Sequence, residues 1–168
     1  MNDTTLLTDR EPPGVRLVRD LPDPPAVVWR ALTEREQLRS WFPCDVIVRG
    51  GRWVPGAAIT FPFPPEVIEI TLTGEVLEVE EPRRLAFSWG DETLRFELTP
   101  HGEGTRLVLT NELPAARGAR NAAGWDVCLE RLAGGEPAAW QPRFERYCRA
   151  FEPLLGPQEG PPAGHKGG

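Results

Sequence analysis

Between residues 44 and 113, apolar side chains recur at every second position in a succession of short segments. In the segment ETLRFELTP, residues 92–100, Leu94 and Phe96 fall on one side and Arg95 on the other. Successive side chains of a strand point to opposite faces of its sheet, so this alternation predicts strands with one buried and one solvated face. Residues typical of turns separate the segments at short intervals, which favours an antiparallel meander.

The alternation changes phase within the longest segment, VIEITLTGEVLEVEE, residues 67–81. Ile70 is in phase with the apolar residues before Gly74, whereas Leu77 is in phase with those after it. One extra residue in a strand shifts its alternation and bends the sheet. The change of phase therefore predicts a bulge near Gly74, with Leu77 facing the core, in a strongly curved sheet.

Helical patterns flank the strands. A first strand over residues 14–21 is followed by two short helical segments, at about 24–32 and 34–41. Near the end of the chain, apolar residues recur at helical spacing over 118–135 and again over 138–154. A sheet with one apolar face needs a cover, and only these last segments are long enough to provide it. This order predicts an α+β fold in which a curved antiparallel sheet of about six to seven strands wraps around a long C-terminal helix.

The two ends of the chain lack these patterns. Residues 1–13 are mostly polar and end in a proline pair, so we expect a flexible lead-in. Residues 156–168 are almost all glycine, proline or polar, which is too little apolar surface to order a segment, and we expect a disordered tail. The intervening residues, 14–155, have the usual length of one domain.

Composition and charge narrow the classes of partner. The net charge of −6 argues against a nucleic-acid partner, because phosphate binding needs a basic surface. No apolar run approaches the ~20 residues that cross a bilayer, and the first residues lack the apolar stretch of a signal peptide. The three cysteines form neither a CxxC pair nor a Cys/His cluster. We therefore expect a cytoplasmic protein with reduced thiols, without a membrane partner, metal or cofactor.

No arrangement of residues is typical of a catalytic site. His101 falls in a glycine-rich turn and His165 in the tail, so the two are not placed for joint acid–base work. Asp91 and Glu92 fall in a turn, where carboxylates are normally solvated. Cys128 has no neighbouring cation on its helix face that would lower its pKa, so we expect an inert thiol. These residues favour binding over catalysis, and we expect no catalytic residue.

Three strings of residues resemble the SRPBCC superfamily, whose fold is called helix-grip or START-like. More closely, they are similar to the branch named after the activator of the heat-shock-protein ATPase. The strings are PDPPAVVWRALTEREQLRSWF (22–42), LVLTNELP (107–114) and AAGWDVCLERL (122–132). Together with the order of strands and helices, they extend the resemblance over about residues 14–155.

The resemblance implies an apolar cavity between the sheet and the last helix. The side chains expected to line it are Trp41, Phe61, Phe63, Trp89, Phe96, Leu109, Asn111, Trp125, Cys128 and Leu129. Many relatives carry a histidine where this chain has Asn111. An asparagine orients a ligand by hydrogen bonds but does not transfer a proton near neutral pH.

The preferred function is therefore binding of an apolar or amphipathic small molecule, by a monomer or homodimer. Two alternatives stay open, because superfamilies of this kind host many functions. A protein-interaction module of the co-chaperone kind would show an exposed apolar patch. A cyclase or lyase that works by positioning its substrate would place a polar or titratable group in the cavity.

Overall fold

A computed structural model describes residues 2–162 and 164–165 of the chain. The strands are β1 (Asp3–Leu7), β2 (Gly14–Leu21), β3 (Ile47–Val48), β4 (Ala58–Pro62), β5 (Thr71–Glu80), β6 (Arg84–Trp89), β7 (Glu92–His101) and β8 (Gly104–Glu112). The α-helices are α1 (Pro25–Thr33), α2 (Arg35–Leu38), α3 (Gly118–Leu132) and α4 (Trp140–Leu155). None of the helices in these ranges is long and apolar enough to cross a bilayer.

The described strands form one antiparallel sheet in the order β1-β2-β8-β7-β6-β5-β4-β3. The meander runs from β3 to β8, and β2 then pairs with β8 from Gly14 opposite Glu112 to Leu21 opposite Thr105. The expected α+β class and curved antiparallel sheet are confirmed. The sheet has eight strands, which is more than the alternation predicted, because β1 lies in a segment that was not expected to pair.

Helix α3 covers the apolar face of the sheet, and α4 packs mainly against α3. An aromatic contact joins α3 to the sheet: the Trp125 ring lies 5.5 Å from the ring of Trp89 at the end of β6. The rings that follow α2 pack beside it, with Phe42 5.6 Å from Trp125 and Trp41 6.2 Å from Phe96 of β7, measured between ring centroids. The helix that grips the sheet is therefore the first of the two predicted C-terminal helices. The second forms an outer layer.

The described residues of the two terminal segments, 2–13 and 156–162, contact the rest of the domain. The segment 1–13, expected as a flexible lead-in, contains β1, whose Leu6 pairs with Val15 of β2. The tail packs on the start of α3, where Gln158 accepts a hydrogen bond from the Ala119 backbone N–H at 2.8 Å. The part of the expected disordered tail at residues 163 and 166–168 lies outside the described residues.

The bulge of β5 lies a few residues beyond the predicted position. Its register against β6 shifts between Val76 and Glu78, so Val76 is buried while Leu77 is 40% exposed. The expectation that Leu77 faces the core is therefore wrong. Gly74 has a different role, because a Cβ at this position would lie 1.9 Å from the Ser88 carbonyl oxygen. The glycine thus permits a close approach between β5 and β6.

Candidate functional site

Most of the side chains expected to bind a ligand lie in the closely packed interior between the sheet and α3. The buried members of this group are Trp41, Phe61, Phe96, Leu109, Asn111, Trp125, Cys128 and Leu129. Aromatic rings fill the space that the resemblance assigned to a cavity: Phe87 lies 5.8 Å from Phe61 and 6.1 Å from Phe96. Phe63 and Trp89 are only partly buried, and they lead to the open space described next.

A cavity of about 700 Å³ opens at one end of the sheet. Its apolar wall includes Phe63, Ile68, Ile70, Leu72, Trp89 and Trp140. Its polar wall includes Asp91, Glu92, Arg117, Arg120 and Asn121. Of the side chains expected to bind a ligand, Phe63 and Trp89 line this cavity, and their rings stack at 6.2 Å.

A tight turn brings the two walls together. Trp89 ends β6 and pairs with Glu92, which begins β7, so only Gly90 and Asp91 form the loop. Gly90 has a φ of +63°, a conformation that two-residue hairpin loops require and that glycine adopts without steric cost. The pairing places an aromatic ring and a carboxylate next to each other at the cavity.

Glu92 is the buried charge of this site, with 6% of its surface exposed. Its Oε1 accepts hydrogen bonds from Nδ2 of Asn121 at 2.7 Å and of Asn111 at 3.1 Å. Its Oε2 accepts one from Arg117 at 3.0 Å. Burial raises the pKa of Glu92, although the hydrogen bonds from Asn111 and Arg117 oppose the change. The expectation that Glu92 is a solvated turn residue is wrong, because β7 begins at this residue and turns its side chain inward.

Asn111 supports the polar wall from behind. It has no exposed surface and does not line the cavity. Its Oδ1 accepts hydrogen bonds from Asn121 at 2.9 Å and from Trp125 Nε1 at 3.0 Å, while its Nδ2 reaches Glu92. Asn111 was expected to orient a ligand, whereas its hydrogen bonds in this structure hold Glu92 and Asn121.

Two arginines complete the polar wall. Arg117 binds both oxygens of Asp91, at 2.6 and 3.1 Å, in addition to Glu92. These carboxylates raise the pKa of Arg117. Arg117 immediately precedes α3, and Arg120 lies in the first turn of this helix, where burial and the charge of Arg117 lower its pKa. The alternation in β7 indicates part of this wall, because Glu92 points to the same face of the sheet as the buried Leu94. The alternation does not predict that Glu92 contacts α3.

The cysteines offer no thiolate to the site. Cys44 and Cys128 are buried, and burial raises the pKa of each to about 12. Cys148 is partly buried, and its pKa is also raised, mainly by burial. Among residues 2–162 and 164–165, no group of three or more His, Cys, Asp or Glu side chains is placed to hold a metal ion.

A second cavity, of about 570 Å³, lies between α3, α4 and β1. Its polar side chains bind each other: Asp126 accepts hydrogen bonds from Arg19 and from the Tyr147 hydroxyl, and Arg143 donates to Glu130 at 2.8 Å. The Asp126 carboxylate is therefore already occupied on both oxygens, so this cavity is a weaker candidate for a ligand.

The curved sheet, the helix packed on its apolar face and the cavity at its end define a helix-grip protein. Residues 23–134 match the family described as activator of Hsp90 ATPase homolog 1-like protein. The chain therefore belongs to this family, as the resemblance indicated. Among curated proteins, none matches the chain.

Solved structures share the fold. A conserved protein of unknown function from Enterococcus faecalis is 21% identical, with a TM-score of 0.77 over 90% of this chain and 92% of that one. CalU16 from Micromonospora echinospora is 20% identical, with a TM-score of 0.70 over 92% and 98%. DynU16, encoded in the dynemicin biosynthetic locus, is 28% identical, with a TM-score of 0.60 over 72% of this chain and 46% of that one. At these identities, the first two establish the fold alone.

Proposed function

We propose that the chain binds an amphipathic small molecule in the cavity at the end of the sheet. The observation that carries this proposal is one space of about 700 Å³ with an apolar wall and a hydrogen-bonded polar wall. Ligand sites commonly measure about 300–1,000 Å³ and combine mostly apolar linings with a few fixed polar groups. The site lies toward one end of the sheet, because aromatic side chains fill the centre.

The two walls suit different parts of such a ligand. The stacked rings of Phe63 and Trp89 present a rigid apolar surface, and Ile70 extends it. Glu92 and Asn121 are held in place by hydrogen bonds to Asn111, so little side-chain entropy is lost when they meet a ligand. An apolar body would pack on the first wall while a polar group meets the second.

The proposal is tested with N-phenyl-1-naphthylamine, a neutral probe that fluoresces in apolar surroundings. We expect saturable binding at micromolar concentration. Ile70→Trp would fill part of the cavity and weaken binding about tenfold or more, since even a partial clash exceeds the ~1.4 kcal/mol that this factor represents. Leu77→Trp is the matched control: Leu77 is 40% exposed and Ile70 is 39% exposed, but only Ile70 lines the cavity.

The proposed site is contradicted if the probe binds both variants as tightly as it binds the native protein. It is also contradicted if the probe binds neither the native protein nor either variant. Folding of each variant is checked by circular dichroism. The co-chaperone-like alternative, the oligomeric state and the cytoplasmic location stay predictions.

A second candidate is an enzyme that works by positioning its substrate, and Glu92 favours it. A buried carboxyl with a raised pKa beside an apolar cavity is an arrangement found at catalytic sites. Compounds that displace the fluorescent probe would be incubated with the protein and analysed by mass spectrometry. Conversion by the native protein, lost in Glu92→Gln while probe binding is retained, would support an enzyme. Unchanged compounds throughout would leave binding as the function.

A further inference from the structure

Arg120 is the least neutralised charge of the cavity wall. Its side chain is only 19% exposed, and its ion pair in the described residues is with Glu159, at 3.5 Å. The Glu159 side chain is 56% exposed, so water weakens this pair. Nη1 also donates to the Gly160 carbonyl at 3.2 Å, whereas Nε and Nη2 have no hydrogen-bond acceptor within the described part of the chain.

The other charges of the wall are matched. Arg117 is shared between Asp91 and Glu92 through bonds of 2.6 to 3.1 Å. Glu92 accepts three hydrogen bonds and Asp91 two, so neither carboxylate lacks donors. What the cavity lacks is a good acceptor for Arg120.

The electrostatics of Arg120 agree with this geometry. Burial lowers its pKa first, and repulsion by Arg117 lowers it further; the carboxylates of Glu159, Glu92 and Asp91 oppose both only in part. A partly desolvated guanidinium in this state gains more from a new anionic partner than one that is already paired.

We propose that the ligand carries an anionic group, a carboxylate on an apolar body, and that this carboxylate binds Arg120. The inference rests on the proposed function and names the ligand's chemical class. A guanidinium presents two parallel N–H donors to a carboxylate, which is a geometry that an alcohol or an amine does not match. The apolar body then lies against Phe63 and Trp89, and Glu159 is the internal counterion that the ligand displaces.

The experiment compares three ligands with the same apolar body, decanoate, decan-1-ol and decylamine, by isothermal titration calorimetry near neutral pH. We expect decanoate to bind about tenfold or more tightly than decan-1-ol, because hydrogen bonds to charged groups are worth more than neutral ones. Arg120→Gln should abolish this preference, because it weakens decanoate binding far more than decan-1-ol binding. Arg131→Gln is the matched control, since Arg131 is an exposed arginine of the same helix that does not line the cavity.

Glu159→Gln provides a test in the opposite direction. Removing the internal counterion should strengthen decanoate binding severalfold and leave decan-1-ol binding unchanged. This variant alters an exposed side chain, so it does not depend on whether Arg120→Gln folds well.

The outcomes separate this inference from the proposed function. If decan-1-ol binds as tightly as decanoate, or Arg120→Gln leaves the preference intact, the assignment of a carboxylate to Arg120 is overturned while a binding cavity stands. If neither these ligands nor N-phenyl-1-naphthylamine binds, both fail.

Discussion

The indole N–H of Trp125 donates a hydrogen bond to the side-chain oxygen of Asn111 at 3.0 Å, in the fully buried interior. This bond joins α3 to β8, an interior strand that lies between β2 and β7. Because Asn111 also binds Glu92, the bond links the packing of the gripping helix to the polar wall of the cavity.

Trp125→Phe tests this link. The variant keeps an aromatic ring but leaves the Asn111 oxygen with one donor fewer in a buried site. Trp29→Phe is the control, since Trp29 is also buried, at 5% exposed against 2% for Trp125, and its N–H has no hydrogen-bond partner among the described residues. We expect Trp125→Phe to lower the free energy of unfolding by about 1 kcal/mol more than the control, measured by urea denaturation. Equal losses would show that the bond adds no stability.

The buried carboxyl of Glu92 predicts a pH dependence. Its folded-state pKa is raised above the ordinary 4.5, mainly by burial, so above that pH the unfolded state loses the proton more readily. The stability that Glu92 contributes therefore falls as the pH rises. Glu92→Gln should cost more free energy of unfolding at about pH 4.5 than at about pH 8.

Asp91→Asn should show the opposite dependence. Hydrogen bonding to Arg117 lowers the pKa of Asp91, so its contribution is present above its ordinary pKa of 3.8 and is lost as the pH falls through the lowered value. Asp91→Asn should thus cost more near neutral pH than in strong acid. Two variants with the same pH dependence would contradict the assigned surroundings of these neighbouring carboxyls.

Two glycines predict opposite effects of the same substitution. Gly74→Ala places a Cβ 1.9 Å from the Ser88 carbonyl oxygen, so β5 and β6 must separate, at a cost of about 1–3 kcal/mol or more. Gly124 lies within α3, and an added Cβ would have no atom within 4 Å apart from its chain neighbours and the backbone of its own helix. Gly124→Ala should stabilise the protein by about 0.5–1 kcal/mol. The midpoint temperature of thermal unfolding, measured for both variants, tests this prediction. A higher midpoint for Gly74→Ala than for the native protein would rule out the close contact between the strands.

Tyr147 gives a direct spectroscopic test, because it is the chain's one tyrosine. Burial, and then its hydrogen bond to Asp126, raise its pKa from 10.0 to about 12. Titration of the tyrosinate absorbance should show this midpoint, and Asp126→Asn should lower it. Since the unfolded state ionises first, stability should fall as the pH rises above 10.0. A midpoint at the ordinary value would contradict the buried contact.

Period-two alternation predicted most of the fold. The predicted first strand, residues 14–21, matches β2, and the segment 92–100 matches nearly all of β7. Both strands bury one face against a core, which is the condition under which alternation is informative. The strand β1 was not predicted because it lies at the sheet edge, where much of its surface stays exposed and a pattern is weak.

The cavity was harder to predict than the fold. Phe63 and Trp89 were expected beside a cavity because of the family resemblance, together with eight side chains that lie in the packed interior instead. The polar wall was missed because it depends on contacts between distant segments: Glu92 meets Asn121, 29 residues further along the chain. Glu92 and Leu94 lie two residues apart on β7, which indicates that they share the buried face of the sheet. The position of Glu92 after a turn favoured the opposite prediction, a carboxylate in contact with solvent. Packing of α3 on the sheet, which decides burial there, is a property of the folded chain.

The position of β2 has a consequence for biosynthesis. β2 lies between β1, which leaves the ribosome before it, and β8, which is complete only at Glu112. Until then, one edge of β2 has no partner, and unpaired edges attract other chains. Pairing of segments so distant in sequence is also slow. The nascent chain is thus most exposed to aggregation from the synthesis of β2 until β8 has left the ribosome and paired with it.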